Sequence, residues 1–321
     1  MAARKNETTT VINRNLLDDQ KSSISTEKDW IKFRNDYNNA SKLNNNNYPV
    51  QLNLELNSSC NMKCPFCVHG YEKSPYTKMN RHTFVDIIEE AVKIGVKSIK
   101  FSNINEPLLN SELESFIEFA IKKGIINTYL ATNAILLNEK RAKSLIDAGL
   151  TKIFISIDAT TEETYNKQRL SGKYNTVIDN ILNLIKIKKE LNIKEPYIRV
   201  SFLENKINKH EKEDFIKFWK KKADMIGIQK MYDVPNIKTN LTINNKINDF
   251  KCSMPFKLLT IVSNGDIYPC CTMYARYLKL GNINTMTLKE AWDSPLINII
   301  RKLHKESYYH LIEACQKCAN T

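Results

Sequence analysis

Three cysteines with the spacing C-x3-C-x2-C are the residues of this chain best suited to chemistry. They are Cys60, Cys64 and Cys67, in the run CNMKCPFC at residues 60–67. Thiolates are the usual protein ligands of iron–sulfur clusters, and three on one loop would hold three irons of a [4Fe–4S] cube. The fourth iron would lack a protein ligand and would be open to a cofactor. The spacing therefore predicts a reactive cluster.

Two other interpretations of these cysteines must be weighed. A structural zinc site usually takes four nitrogen or sulfur ligands, and His69 could supply the fourth. A disulfide needs an oxidising compartment, but residues 1–20 are polar and lack the apolar stretch of a secretion signal. Eight cysteines without such a signal favour metal ligation, so we expect a reducing, cytoplasmic location. The spacing favours the open cluster, with zinc as the alternative.

Composition excludes several other classes of protein. A chain of 321 residues with 42% hydrophobic content is expected to bury a substantial core. No apolar run approaches the ~20 residues needed to span a bilayer. The net charge of +13 comes mainly from scattered lysines, whereas nucleic-acid binders usually cluster basic residues on one face. We therefore expect no membrane segment and no nucleic-acid partner.

The elements that must position these cysteines alternate between strand-like and helix-like runs. We predict strands at 50–56, 98–103, 126–131, 152–157, 197–203 and 226–232. We predict amphipathic helices between them near 81–95, 111–123, 138–148, 175–192 and 210–222. Strand–helix alternation predicts a parallel sheet with crossover helices, an α/β fold.

The chain divides into four predicted parts. Residues 1–48 are a polar N-terminal extension with a flexible start and a short helix near 28–38, where aromatic residues recur at helical spacing. Residues 49–235 form the parallel α/β domain, and the Asn-rich residues 236–250 form a linker. Residues 251–321 form a small α+β domain. It contains a hairpin at 258–270 turned by Asn264-Gly265, and helices near 287–303 and 306–314.

A second group of cysteines lies in the C-terminal part. Four of them would suffice for a fully ligated [4Fe–4S] cluster. The same thiolates could instead hold a structural zinc ion, and their chemistry alone leaves both interpretations open. The members of this group are Cys252, Cys270, Cys271, Cys315 and Cys318.

Together the two cysteine groups resemble those of radical S-adenosylmethionine (SAM) enzymes with a C-terminal SPASM domain. The order C-x12-G-x4-C, with Gly265 as the glycine, followed by C-x2-C is similar to the shortened SPASM form called twitch. The spacing is similar to that of the twitch-domain cyclitol dehydrogenases of aminoglycoside biosynthesis. The resemblance implies a partial (β/α)6 barrel resembling the TIM barrel, followed by a small α+β twitch domain, with functional groups at the C-terminal strand ends. It also implies SAM and two [4Fe–4S] clusters, with the metal ligands Cys60, Cys64, Cys67, Cys252, Cys270, Cys315 and Cys318.

The resemblance also implies which residues contact SAM. Glu106 is expected to meet the ammonium group and Arg169 the carboxylate, which an arginine can bind in bidentate fashion. Asn105 stands where the family usually has glycine, and asparagine tolerates unusual backbone angles better than most residues. The full set of predicted SAM contacts is Phe66, Asn105, Glu106, Thr132, Asn133, Ser156, Asp158 and Arg169.

In this family SAM is cleaved to a 5′-deoxyadenosyl radical, which takes a hydrogen atom from the substrate. We favour oxidation of a carbohydrate- or cyclitol-like alcohol, with electron transfer to the second cluster. One alternative is a redox-neutral epimerase in which Cys271 is the catalytic hydrogen-atom donor, and another is a ribosomal-peptide maturase. The alternative that is not an enzyme is a zinc-binding interaction protein. The expected partners are a small-molecule or peptide substrate and a reductant such as flavodoxin or ferredoxin.

Overall fold

The strands of the protein form one sheet. The computed structural model describes residues 9–12, 21–72, 75–170, 172–231, 233–243 and 250–319. Within these residues the sheet has ten strands in the order β1-β7-β6-β5-β4-β3-β2-β8-β9-β10. No helix in these ranges is long and apolar enough to cross a membrane.

Six consecutive strands of this sheet run parallel to one another. Each pairs with the next along the chain, which confirms the partial (β/α)6 architecture. The strands are β2 (Gln51–Leu54), β3 (Ser98–Lys100), β4 (Asn127–Thr132), β5 (Lys152–Ser156), β6 (Tyr197–Glu204) and β7 (Met225–Lys230). The helices between them are α2 (Arg81–Ile94), α3 (Leu113–Lys122), α4 (Glu139–Asp147), α5 (Glu162–Arg169), α6 (Tyr174–Glu190) and α7 (Lys212–Trp219).

Helix α5 is an element that the sequence analysis did not predict. It has eight residues, most of them polar, so it lacks the apolar repeat by which an amphipathic helix is recognised. The side chain of Thr161 caps its first turn by accepting a hydrogen bond from the Thr164 backbone N–H. The helix matters because Arg169 is its last residue.

The two faces of the parallel strands differ in burial. Side chains that face the helices, such as Leu130, Ile153 and Val200, are at most 1% exposed. Side chains of alternate residues, such as Tyr129 and Phe154, face inward and are only partly buried. The side chains inside the barrel therefore keep part of their surface accessible, and the space that they face is called the lumen here.

Helix α1 (Glu27–Ser41) covers the N-terminal end of the barrel. Its Trp30 and Phe33 pack in one buried cluster with Val50, Ile126 and Phe256, each of which lies just before a strand of the sheet. The short helix predicted in this region is therefore present and slightly longer. A strand that was not predicted, β1 (Thr9–Ile12), pairs antiparallel with β7.

The C-terminal part extends the same sheet. After α8 (Met254–Lys257), strand β8 (Leu258–Ile261) pairs parallel with β2 and antiparallel with β9 (Asp266–Tyr268), and β10 (Gly281–Asn282) follows. The hairpin prediction is confirmed, and Gly265 adopts a φ of 90° in its turn. The predicted linker falls partly within the described residues 233–243, where the structure has no helix and one isolated bridge.

Two helix predictions in this part were wrong. The helix expected at 287–303 is two helices, α9 (Leu288–Trp292) and α10 (Pro295–Lys305), because proline begins a helix but does not continue one. No α-helix occupies 306–312, where Ser307 has a φ of 64° and interrupts the helical backbone. The last helix, α11 (Glu313–Ala319), begins later.

Candidate active site

The loop that follows β2 gathers the first three cysteines at the C-terminal end of the barrel. The Cys67 N–H donates to the Cys64 carbonyl at 3.1 Å, and the Gly70 N–H donates to the Cys67 carbonyl at 2.9 Å. A Cβ on Gly70 would lie 2.6 Å from the Cys64 carbonyl oxygen, so only glycine fits this turn. Cys60, Cys64 and Cys67 all line one cavity of about 360 Å³.

His69, the possible fourth ligand of a zinc ion at this loop, is engaged elsewhere. Within the described residues, no three His, Cys, Asp or Glu side chains are placed to hold one metal ion. The Nε2 atom of His69 lies 2.7 Å from the Ile104 carbonyl oxygen and must donate to it, which occupies that nitrogen. Burial raises the pKa of Cys60 to about 12, so bound iron would be needed to stabilise its thiolate.

Asn57 connects this loop to the loop that follows β3. Its side chain donates to Ser59 Oγ at 3.0 Å and accepts from Asn105 Nδ2 at 3.3 Å. The Glu106 N–H donates to the Ser59 carbonyl at 2.9 Å. Asn57 is almost fully buried. The sequence analysis missed it because a lone loop asparagine gives no signal of such a role.

Glu106 is a buried carboxylate at the edge of the cavity. It accepts hydrogen bonds from Thr132 Oγ1 at 2.6 Å, from the Asn133 N–H at 2.8 Å and from the Leu108 N–H at 3.0 Å. An ionised carboxylate has about four acceptor positions, so one remains for a ligand in the cavity. Burial raises the pKa of Glu106, and its hydrogen bonds oppose that shift.

Asp158 and Arg169 form a buried ion pair on the opposite side of the cavity. Asp158 follows β5 with a φ of 65° and accepts from the Leu203 N–H at 2.7 Å. Arg169 Nη1 lies 3.8 Å from Cys64 Sγ, and its guanidinium carbon lies 5.2 Å from the centre of the Phe66 ring. Within the described residues, the buried Nε of Arg169 has no hydrogen-bond acceptor. This donor fits an anionic group such as the carboxylate of SAM.

The structure brings all of the predicted SAM contacts to the same cavity. Ser156 lines it, and its hydroxyl makes no hydrogen bond to the described part of the protein, while Asn133 Nδ2 donates to Asn61 Oδ1 at 2.7 Å and so supports the cysteine loop. Their roles toward SAM remain predictions. The predicted contacts that line the cavity are Phe66, Asn105, Glu106, Thr132, Asn133, Ser156, Asp158 and Arg169.

The C-terminal cysteines meet in a second, smaller pocket. Cys252 precedes α8, Cys270 follows β9, and Cys315 and Cys318 lie three residues apart on one face of α11. All four line one pocket with largely apolar walls. Burial raises the pKa of Cys252, Cys270 and Cys318 to about 12 and raises that of Cys315 further. This donor set fits a second cluster.

Cys271 belongs to the central cavity and not to the C-terminal pocket. It lines the same cavity as the first three cysteines, together with Met273. Its neighbour Cys270 lines the C-terminal pocket. The two adjacent thiols thus lie on the boundary between the two cysteine sites, one on each side.

The chain belongs to the radical SAM superfamily, whose model matches residues 54–218, just over half of the chain. The model of the iron–sulfur cluster-binding domain SPASM matches residues 252–319. The protein is therefore a radical SAM enzyme that uses SAM and a [4Fe–4S] cluster, and its SPASM domain adds further iron–sulfur ligation.

Relatives with several activities share this architecture. A probable GTP 3',8-cyclase of Methanocaldococcus jannaschii is 32% identical over 168 residues, which are 52% of this chain and 54% of that protein. The chain thus spans about half the length of such curated relatives. An S-adenosyl-L-methionine-dependent 2-deoxy-scyllo-inosamine dehydrogenase of Niallia circulans is 22% identical over 84% of this chain and 92% of that protein.

Solved structures show the same fold. The structure of BtrN with AdoMet and 2-DOIA aligns with a TM-score of 0.53 and 19% identity, covering 83% of this chain and 91% of that one. The structure of anSMEcpe with bound AdoMet aligns with a TM-score of 0.64 and 19% identity, covering 80% of this chain and 84% of that one.

Proposed function

We propose that this enzyme oxidises an alcohol of a small carbohydrate- or cyclitol-like substrate bound in the central cavity. The observation that supports this most is the position of Cys270 and Cys271. One cavity extends from the Cys60, Cys64 and Cys67 loop to Cys271, and the next residue back, Cys270, belongs to the C-terminal cysteine pocket. A substrate in the cavity would therefore lie beside both metal sites.

A [4Fe–4S] cluster held by Cys60, Cys64 and Cys67 would, with SAM bound, supply a radical that abstracts hydrogen. Around it, Arg169 and Glu106 would orient the carboxylate and ammonium of SAM, and Phe66 would contact its adenine. The Asp158 carboxylate fixes the guanidinium of Arg169 beside Cys64, so the cation is in place before SAM binds. Such preorganisation lowers the cost of binding.

The remaining cavity wall would receive the substrate. It is formed by residues at the ends of β4, β6 and β7, namely Ala131, Ser201, Gln229 and Lys230. A substrate alcohol would lose a hydrogen atom to the SAM-derived radical, then a proton to water and one electron, and become a ketone. The electron would pass toward the C-terminal cysteine site, which adjoins the cavity through Cys270. The similarity to the Niallia circulans dehydrogenase over most of both chains supports this assignment.

The position of Cys271 favours a second candidate, a redox-neutral epimerase. Its thiol lines the cavity and is not needed for the four-cysteine pocket. A thiol there could return a hydrogen atom to the opposite face of a substrate radical. The product would then be an isomer of the substrate and not a ketone.

Turnover in D2O separates the two candidates. A thiol hydrogen exchanges with water, so an epimerase would place deuterium on a carbon of an unoxidised product, and Cys271→Ala would abolish that product. The dehydrogenase should give a product two hydrogens lighter, without deuterium at that carbon, and Cys271→Ala should cost only about 1 kcal/mol in stability. Deuterated, unoxidised product would refute oxidation and support epimerisation.

The external electron donor is also part of the proposal. A flavodoxin or a ferredoxin would supply electrons to the cysteine-loop site. Dithionite can replace either protein in the D2O experiment, so its outcome does not depend on which donor the cell uses.

A further inference from the structure

Four side chains form a floor beneath the central cavity. They are Lys100 on β3, Tyr129 on β4, Phe154 on β5 and Arg199 on β6. Three of them each lie two residues before a residue that lines the cavity. Tyr129 precedes Ala131, Phe154 precedes Ser156, and Arg199 precedes Ser201 in this way. Residues i and i+2 of a strand share a face about 7 Å apart. Lys100 pairs in register with Tyr129 and so shares its face of the sheet. These four residues, here called the lumen floor, lie one layer below the cavity-lining residues.

Contacts between side chains hold the lumen floor in place. The Tyr129 and Phe154 rings are 5.1 Å apart, and the guanidinium carbon of Arg199 lies 5.0 Å from the centre of the Phe154 ring. On the next strand, Gly227 leaves the space that the guanidinium of Arg199 fills, because a Cβ there would clash with it. Helix α1 covers the barrel below this layer, so a ligand would reach the floor from the cavity above.

Lys100 carries a charge that no described residue neutralises. Its ammonium makes no hydrogen bond or ion pair to the described part of the chain, and its side chain is half-buried. Burial lowers the pKa of Lys100, the like-charged Arg199 lowers it further, and Cys271 of the cavity opposes the shift. Enclosing an ammonium beside another cation is unfavourable unless an anion compensates it.

We propose that the lumen floor binds an anionic group of the substrate, a carboxylate or a phosphate, through Lys100 and Arg199. Both cations bind such groups, Arg199 through a planar fork and Lys100 as a compact point charge. Lys100 lies beside Tyr129 in register, one layer below the cavity-lining Ala131, so an anion held there would lie beneath the central cavity. The substrate class is then a small anionic carbohydrate, such as a sugar acid or a sugar phosphate. This inference rests on the proposed function, since it locates the substrate in that cavity.

Thermal unfolding of the cluster-loaded, SAM-bound protein tests the site without turnover. The unfolding midpoint is measured at one scan rate with rising sodium phosphate or sodium acetate, at constant ionic strength. A bound anion stabilises the folded state in a saturable way, so one of these anions should raise the wild-type midpoint by several degrees. Phosphate would indicate a phosphorylated substrate, and acetate a carboxylate.

Three variants test whether the anion binds at Lys100. Lys100→Met should lose the saturable rise, and its midpoint without added anion should equal or exceed that of wild type, because an uncompensated buried charge is gone. Lys100→Arg should keep the response. Lys122→Met, which removes a 70% exposed lysine on α3, should respond as wild type does and controls for general salt effects. Equal responses of wild type and Lys100→Met to both anions, or a lower midpoint of Lys100→Met without anion, would overturn the proposal. If the enzyme did not oxidise its substrate, the proposed function would fail, but the unfolding midpoints expected here would be unchanged.

Discussion

Cys64 is the most buried of the first three cysteines, and it has a guanidinium beside it. Its side chain is 5% exposed, and Arg169 Nη1 lies 3.8 Å from its sulfur. Cys64→Ala should leave two thiols at the loop and abolish the cluster there. Wild type should contain about eight irons per chain and the variant about four, counting two [4Fe–4S] sites. Iron and sulfide analysis of protein purified without oxygen, with an assay for 5′-deoxyadenosine, checks this. Normal SAM cleavage by the variant would contradict the ligand assignment.

Cys315→Ala is the reciprocal change. It removes one of the four thiols of the C-terminal pocket and leaves the cavity with Cys60 and Cys67 unchanged. About half of the iron should again be lost, but SAM cleavage with dithionite should continue while substrate turnover collapses. Full iron content with full turnover would show that the C-terminal pocket is not a cluster site. Stoichiometric zinc without sulfide in wild type would contradict both assignments.

At this scale the sequence predicted the reactive groups better than their surroundings. The cysteines could be recognised because their ligand spacing is local, and the cavity does gather all of the predicted SAM contacts. Lys100 and Arg199 could not be recognised, because only closure of the barrel decides that alternate strand residues face a lumen. Asn57 was missed for a similar reason, since its partners lie on two loops that are distant in sequence.

At the scale of structural elements, the cysteine loop depends on the close approach of the Gly70 backbone to the Cys64 carbonyl group. A Cβ on Gly70 would lie 2.6 Å from the Cys64 carbonyl oxygen, so Gly70→Ala must displace backbone that carries a thiol. We expect the variant to lose most of its SAM cleavage and loop-site iron while it keeps the C-terminal iron. Cluster-resolved electron paramagnetic resonance measures the two sites separately. Lys63→Ala, at an exposed position of the same loop, is the matched control and should keep both signals. Wild-type signals from Gly70→Ala would show that the turn has room for a methyl group.

Element prediction succeeded where burial is periodic and failed where it is not. The six barrel strands follow from alternating apolar runs, because their outer residues pack under helices. Helix α5 is short and polar, yet it ends at Arg169, which places that cation at Cys64. Its formation depends on a cap and on tertiary contacts such as the buried Tyr165, which local periodicity does not report.

At the scale of the whole molecule, the barrel and the C-terminal part meet along a polar seam beside the cavity. The carboxylate of Glu72 accepts hydrogen bonds from both terminal nitrogens of Arg276, at 2.5 and 2.8 Å. Thr77 and Ser263 share a hydrogen bond of 2.5 Å. The exposed ion pair should contribute little to stability, as surface pairs usually do. The buried ionisable group at this seam is Glu55, and its ionisation links the stability of the protein to pH.

Glu55 follows β2 and accepts from Asn103 Nδ2 and the Ile104 N–H, both at 3.3 Å, while Ser263 of the C-terminal part also hydrogen-bonds to it. Burial raises the pKa of Glu55 to about 7 from its ordinary value of 4.5. At a pH below the pKa that Glu55 has in the unfolded chain, Glu55 is protonated in both the folded and the unfolded protein. Its contribution to stability is then fully present. As the pH rises toward the folded pKa, only the unfolded state ionises, so about 3 kcal/mol of stability is lost, at 1.36 kcal/mol per pKa unit.

Glu55→Gln removes this ionisation and keeps an acceptor for the same donors. Relative to wild type, the variant should therefore gain stability as the pH rises from about 4.5 to about 7 and keep that gain at higher pH. Thermal unfolding midpoints of both proteins at pH 5 and pH 8, at one salt concentration and one scan rate, check the sign. Glu112→Gln changes an exposed carboxylate and should show no comparable dependence on pH. A stability difference between Glu55→Gln and wild type that stays constant or shrinks as the pH rises would mean that Glu55 is ionised in the folded protein throughout this range, held by its hydrogen bonds against the cost of burial.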